Sequence, residues 1–244
     1  MIGVIISSIL FLIGLFAYGG YTRMTRIEES LATTQQQFIY AQRFMEKDVH
    51  MSGYALSGNG LYTQGLGSAQ FKLYFFRNDN NTATVLSADA NPGDIRVLVA
   101  NGHGCDTNQW MCLSHDSTSR FYPVARIRFN TGLGGDTVWL KTATISDSWN
   151  HATALVKFVK GIWYSIDSAG TTKSLVRHCG AQAIAIGTLI DTLGYVSLDS
   201  LGFTVGNAFA KARCLRVVFG SHAKTASPNS TTIKTFDVMI RNWL

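Results

Sequence analysis

The sequence predicts an α+β protein in which one long N-terminal α-helix precedes a mostly antiparallel, β-rich domain. Residues 1–52 contain no proline, and residues 1–22 contain no charged side chain. All three prolines and eleven aspartates, but no glutamate, follow residue 52, together with most of the Gly, Asn, Ser and Thr. Because these residue types favour turns over helix interiors, the composition divides the chain into a helix, 1–52, and a globular domain, 53–244.

Residues 1–22 form the apolar half of the predicted helix. At about 1.5 Å per residue they span roughly 33 Å, which matches the hydrocarbon core of a bilayer. Small residues such as Gly14 interrupt the large apolar side chains and allow neighbouring helices to approach closely. We therefore expect this segment to insert into a membrane or to form the core of a fibre. The predicted assembly residues are Ile2, Ile5, Ile6, Ile9, Ile13, Gly14, Phe16, Tyr21, Met24 and Ile27.

After Tyr21 the apolar residues of the helix narrow to one stripe. Its members recur at helical spacing: Met24, Ile27, Leu31, Phe38, Ala41, Met45 and Val49. Such a stripe indicates that one side of the helix covers a core. Gly53 is the predicted C-cap, because glycine readily adopts the left-handed conformation that ends a helix. The Gly-, Ser- and Asn-rich residues 57–68 indicate a loop.

The globular domain shows short apolar runs separated by turn residues, which is typical of antiparallel sheets. The predicted strands are 71–76, 84–87, 95–100, 124–129, 153–158, 162–166, 181–190, 215–219 and 236–240. Residues 158–162 resemble a hairpin corner, since Gly161 lies between two apolar runs. The domain is long enough to enclose its own core, against which we expect the helix stripe to pack.

Four cysteines, Cys105, Cys112, Cys179 and Cys214, lie beyond the helix. An even number in the part of the chain that would be translocated favours two disulfides in an oxidising compartment. Three pairings are possible, and Cys105 with Cys112 and Cys179 with Cys214 is the local choice.

The charge distribution favours a solvated surface over a dedicated polyanion site. The net charge of +6 lies entirely in residues 53–244, where seventeen Lys and Arg face eleven Asp, because the helix carries four charges of each sign. These basic residues are scattered singly among the predicted strands rather than grouped in runs.

No sequence motif indicates an enzyme. The chain has neither a Gly-x-Ser-x-Gly elbow nor a His-Glu-x-x-His pair, and the spacing of Cys105, Cys112 and His115 fits no zinc motif. The Asp and Asn residues near Pro92 are explained by a turn without Ca²⁺. We therefore expect no catalytic residues, no metal and no cofactor. Asn80 and Asn229 begin Asn-x-Ser/Thr sequons in turn-like segments, where glycosylation remains to be checked by mass.

Both ends of the chain resemble type IV pilin-like proteins, in particular the PilW-like minor pilins. The N-terminal features are Gly14, the uncharged span to residue 22, and the aromatic and basic residues that follow it. The step Met51-Ser52-Gly53-Tyr54 is similar to the family's helix ending, and residues 235–244, with Arg241-Asn242, are similar to its C-terminal strand. The middle of the chain is recognisable only as β-rich.

One position departs from that family. Pilins usually carry a glutamate at the fifth mature position, thought to pair with the N-terminal amine of a neighbouring subunit, but here the residue is Ile5. An unpaired ammonium is costly in apolar surroundings, so the amine needs another acceptor, a headgroup or loss of its charge. This numbering takes Met1 as the mature start, while a cut after Gly3 is the rival that moves Gly14 out of its family position.

The resemblance implies a structural subunit of a type IV pilus-like extracellular filament on the bacterial surface. Its partners would be copies of itself or other pilins, and it would sit in the inner membrane before assembly. The position as minor, tip-proximal or major subunit stays open, as does a role in adhesion, motility, DNA uptake or secretion. The alternatives are a single-pass anchor that carries a periplasmic or extracellular domain for binding DNA or a surface, and a cleaved signal peptide.

Overall fold

The structure is a computed structural model that describes residues 2–65, 71–79, 82–103, 105–107, 109–116, 118–130, 134–141, 144–169, 172–221 and 232–240. One helix, α1 (Ile2–Met51), precedes a domain of antiparallel strands, which confirms the α+β prediction. The strands are β1 (Leu61–Gln64), β2 (Lys72–Arg77), β3 (Thr84–Val85), β4 (Arg96–Val99), β5 (Trp110–His115), β6 (Thr118–Arg128), β7 (Asp136–Leu140), β8 (Leu155–Ala169), β9 (Thr172–Cys179), β10 (Gln182–Gly187), β11 (Thr192–Leu198), β12 (Cys214–Ser221) and β13 (Thr232–Met239).

The helix ends at the predicted C-cap. Gly53 has a φ of 78°, and its amide donates to the carbonyl of Phe76 on β2 at 2.8 Å. Gly60 approaches the same turn so closely that a Cβ on it would lie 2.2 Å from the Gly53 nitrogen. The predicted loop 57–68 is wrong in part, because this close packing brings β1 alongside β2, while residues 66–68 lie outside the described part.

The strands form two sheets. The larger sheet has the order β1-β2-β8-β5-β6-β7-β4, with β3 and β9 also paired to β8 and β10 paired to β9. The smaller sheet has the order β11-β12-β13. All these pairings are antiparallel, as the alternating runs predict.

The predicted hairpin corner at 158–162 is wrong, because β8 runs straight through it. One half of β8 pairs with β5 and the other half with β9. Gly161 is needed for space rather than for a turn: a Cβ on it would lie 2.8 Å from the Phe76 ring and 3.1 Å from the Trp110 indole nitrogen. Gly161 therefore leaves room for the Phe76 and Trp110 rings to pack against the middle of β8.

The C-terminal part of α1 packs into the main core. Phe38, Ala41, Met45 and Val49 are buried among residues of both sheets. The stripe prediction holds only for these four, because Met24 and Leu31 are exposed. The helix therefore leaves the β domain at about Thr34, which is 1 % exposed, and residues 2–33 project from it by about 48 Å at 1.5 Å per residue.

The four cysteines are free thiols, so the expected disulfides are not formed in this structure. Cys112 belongs to an aromatic cluster with Tyr74 and Phe76, whereas Cys105 packs against the separate cluster of Met111 and Leu113. Because neighbouring residues of a strand point to opposite faces, β5 separates Cys105 from Cys112.

The second local pair is separated in the same way. Cys179 packs against the main core, and so does Leu215, the neighbour of Cys214 on β12. The side chain of Cys214 therefore points to the other face of the smaller sheet.

Candidate assembly helix and surface sites

The projecting half of α1 exposes the predicted assembly residues. Ile5, Ile6, Ile9, Ile13, Phe16, Tyr21 and Met24 are all more than half exposed, with Phe16 at 79 %, while Ile27 is partly buried. The side chain of Ile2 lies outside the described part. The helix is long and apolar enough to cross a membrane. A helix that is apolar on every face is unstable in water, so this half requires lipid or other protein around it.

Packing within the chain does not explain three glycines in the projecting half of α1. A Cβ on Gly14, Gly19 or Gly20 would meet no atom within 4 Å. Glycine inside a helix costs about 1 kcal/mol relative to alanine, so these positions lose stability without a gain in internal packing. Close approach by a neighbouring helix would explain them.

Polar side chains at the end of the apolar segment are satisfied by the helix itself. The Thr22 hydroxyl donates to the carbonyl of Gly19 and the Thr25 hydroxyl to that of Tyr21, each at 3.1 Å. A threonine that bonds its own backbone can enter an apolar environment at low cost.

A buried ionic cluster joins α1 to the larger sheet. Asp48 is 2 % exposed, and Arg177 on β9 donates to both of its carboxylate oxygens, at 2.6 and 2.9 Å. The Tyr164 hydroxyl of β8 also donates to Asp48, and Arg77 lies 3.6 Å away. Burial and the neighbouring carboxylate raise the pKa of Tyr164, and the bond to Asp48 raises the pKa of Arg177.

This cluster fixes the rotation of α1 about its own axis and its position along that axis relative to the sheet, because a bidentate Arg–carboxylate pair tolerates little displacement. The sequence analysis missed the role of Asp48. A signal was available, since Asp48 lies three residues after Met45 on the buried face of the helix.

Strand register gathers basic residues that are scattered in the sequence. Arg96 of β4 faces Trp139 of β7, which faces Arg126 of β6. The Arg126 guanidinium lies 4.3 Å from the centre of the Trp139 ring, and Arg128 faces Thr137 on the next rung. None of the three arginines forms an ion pair with a described residue. The three arginines are scattered in the sequence, and strand register brings them onto one face.

One serine, aspartate and histidine do meet on β8 and β9, but not in the order of a catalytic triad. Ser165 donates to Asp167, and its hydroxyl lies 2.8 Å from Nε2 of His178. In a triad the carboxylate orients the imidazole, whereas here it binds the hydroxyl. Burial lowers the pKa of His178, whose ring stacks on Trp163 at 3.8 Å.

Several predicted positions lie outside the described part of the chain: Met1, the sequon residues Asn80 and Asn229, and the C-terminal residues 241–244. Within the described ranges, no group of three or more His, Cys, Asp or Glu residues is placed to hold a metal ion. Comparison of the chain with protein-family models, with curated proteins and with solved structures yields no match.

Proposed function

We propose that the protein is a structural subunit of a type IV pilus-like filament, held in a membrane through α1 before assembly. The observation that carries the proposal is the division of α1 into two parts. Its C-terminal part is fixed in the β domain by Val49 and Asp48, while residues 5–24 expose large apolar side chains on all sides.

The length of the projecting part favours a filament over a simple anchor. About 20 residues cross the hydrocarbon core of a bilayer, but residues 2–33 project from the domain. Met24 and Leu31 are 62 % and 40 % exposed, beyond the uncharged segment where lipid would cover them. Packing against neighbouring helices would bury them together with Gly14, whereas an anchor leaves them in water.

The substitution Gly14→Leu separates the two functions. A Cβ at Gly14 has open space around it and leucine replaces a poor helix former, so the monomer should insert into the membrane normally. In a filament it would collide with the neighbouring helix, so we expect membrane fractions to contain normal amounts of protein and sheared fibres to be strongly depleted. Immunogold labelling of fibres and blotting of both fractions measure this.

A matched control is Leu201→Ala, which alters a residue 78 % exposed on the β domain. Fibre yield should be unchanged in this variant. If the wild-type protein occurs only in membrane extracts and never in sheared fibres, the filament proposal is wrong.

A second candidate function is nucleic-acid binding by the β domain, which the face of Arg96, Trp139, Arg126 and Arg128 favours. Trp139 is partly buried, and a base can stack on the Arg126 guanidinium that covers its ring while the other guanidinium groups contact phosphates. This function suits either an anchored domain or a filament subunit.

Salt dependence tests this candidate. Binding of a labelled oligothymidine should weaken with a slope of log K against log salt of about −2, because three phosphate contacts release about 0.7 ion each. Replacing Arg96, Arg126 and Arg128 together by alanine should abolish binding, whereas Arg216→Ala should not, since Arg216 is already paired with Asp237 at 2.7 Å. Equal binding by the triple variant would exclude this face.

A further inference from the structure

The larger sheet curls so strongly that strands far apart in its order meet. Tyr62 of β1 lies 6.1 Å from Phe121 of β6, measured between ring centres, although β2, β8 and β5 separate the two strands in the sheet. Trp110 of β5 lies 5.7 Å from Tyr62. These three partly buried rings line an open cleft of about 680 Å³, a volume typical of ligand-binding pockets.

A second layer of rings holds the cleft walls in place. Phe76 is fully buried and stacks on Phe121 at 4.3 Å, and Tyr74 lies 4.9 Å from Trp110. Gly161 leaves the space that the Phe76 and Trp110 rings occupy. The aromatic walls are therefore preorganised, which lowers the entropic cost of binding a ligand.

The polar groups around these rings are neutral or already paired. Thr118, Thr144 and Ser146 contribute hydroxyls to the lining, and Arg120 is bound to Asp147 at 2.9 Å. Among the described residues that line the cleft, none is an unpaired cation of the kind that a phosphate backbone requires. A purely apolar ligand would form no hydrogen bonds with the hydroxyls that line the cleft.

A smaller cavity of about 250 Å³ adjoins the cleft, and Gln64 and Trp110 line both. Gln109 lines this smaller part, and its Oε1 is buried without a hydrogen-bond partner among the described residues. This oxygen has almost no accessible surface, so it lies behind the cavity wall and out of reach of a ligand hydroxyl.

We propose that this cleft binds a neutral oligosaccharide. A sugar ring has an apolar C–H face, which would stack on Tyr62, Trp110 and Phe121, and hydroxyls at its edge, which would bond the exposed hydroxyls of Thr118 and Thr144. The electron-rich faces of aromatic rings attract such C–H groups. The cleft volume of about 680 Å³ suits more than one sugar unit. The site does not depend on filament assembly, so an anchored monomer would bind equally well.

The test uses the full chain in a detergent without a sugar headgroup, with cellohexaose, chitohexaose and maltohexaose as probes. At least one should bind in calorimetry and shift the tryptophan fluorescence. Thr118→Arg places a long charged side chain in the cleft from an exposed position, and it should weaken binding by at least about tenfold, or 1.4 kcal/mol. Tyr62→Ala should weaken it similarly, whereas Phe203→Ala, at an aromatic residue 67 % exposed outside the cleft, should not.

Two results would overturn the proposal. One is the absence of binding by all three hexasaccharides to the folded wild-type protein. The other is unchanged sugar binding by Thr118→Arg with a native circular dichroism spectrum. If oligothymidine binds and Thr118→Arg abolishes that binding while no sugar binds, the cleft is a nucleic-acid site and the proposal is wrong.

Discussion

Asp48→Ala should be the most destabilising single substitution in the helix–sheet contact. The change removes a carboxylate that is 2 % exposed and leaves Arg177 and Arg77, with side chains 14 % and 17 % exposed, without their buried partner. Breaking a buried ion pair costs about 3–5 kcal/mol, because the remaining charge stays desolvated. Both arginines retain some contact with water, which places the expected loss near the lower end, at about 3 kcal/mol.

Urea unfolding of the full chain in detergent, followed by tryptophan fluorescence, measures this loss. The matched control is Asp237→Ala, which breaks an equally bidentate pair with Arg216, at 2.7 and 2.8 Å, but on the surface. Its side chains are 43 % and 44 % exposed, so the control should lose far less. A loss below about 1 kcal/mol for Asp48→Ala, or equal losses in both variants, would refute the role assigned to burial.

Two further predictions concern backbone and pH. Gly60→Ala should lower the free energy of unfolding by at least about 2 kcal/mol in the same assay, because its Cβ would collide with backbone atoms. Gly202→Ala, also at positive φ but in open space, should lower it by about 1 kcal/mol. Equal losses in the two variants would contradict this reasoning. The amides of Gly102 and Asn130 donate to Asp136 and lower its pKa, so the carboxylate stabilises the fold above the ordinary Asp pKa of about 3.9, and this contribution disappears as pH falls through the lowered value. Thermal unfolding at successive pH values should show the wild type and Asp136→Asn converging as pH drops, and a constant difference would rule out this linkage.

The helix could be predicted from the sequence because its signals are local. An uncharged run without proline, a periodic stripe and a terminal glycine each act within a few residues, and Gly53 ends the helix as expected. The apolar stripe alone could not show at which residue the β domain begins to cover α1. That boundary, near Thr34, depends on which strands fold back onto the helix.

The strands, unlike the helix, could be predicted only in part from the sequence. The sequence analysis misses strands β1, β5, β7, β9 and β11 and divides β8 at Gly161, because short apolar runs do not reveal their partners. A strand like β8 is continuous only because different neighbours pair with its two halves. The predicted disulfides are absent for the same reason. The side-chain alternation that separates Cys105 from Cys112 depends on where the strands begin and end.

An apolar helix followed by a β-rich domain can be predicted from the sequence alone, because hydrophobicity and helix periodicity are properties of contiguous residues. Which side chains act together depends on how the strands are arranged in space. The Asp48 cluster joins residues 129 positions apart, and the aromatic cleft joins β1 to β6 through the curl of a sheet. Such sites arise from strand order and register, which short stretches of sequence do not encode.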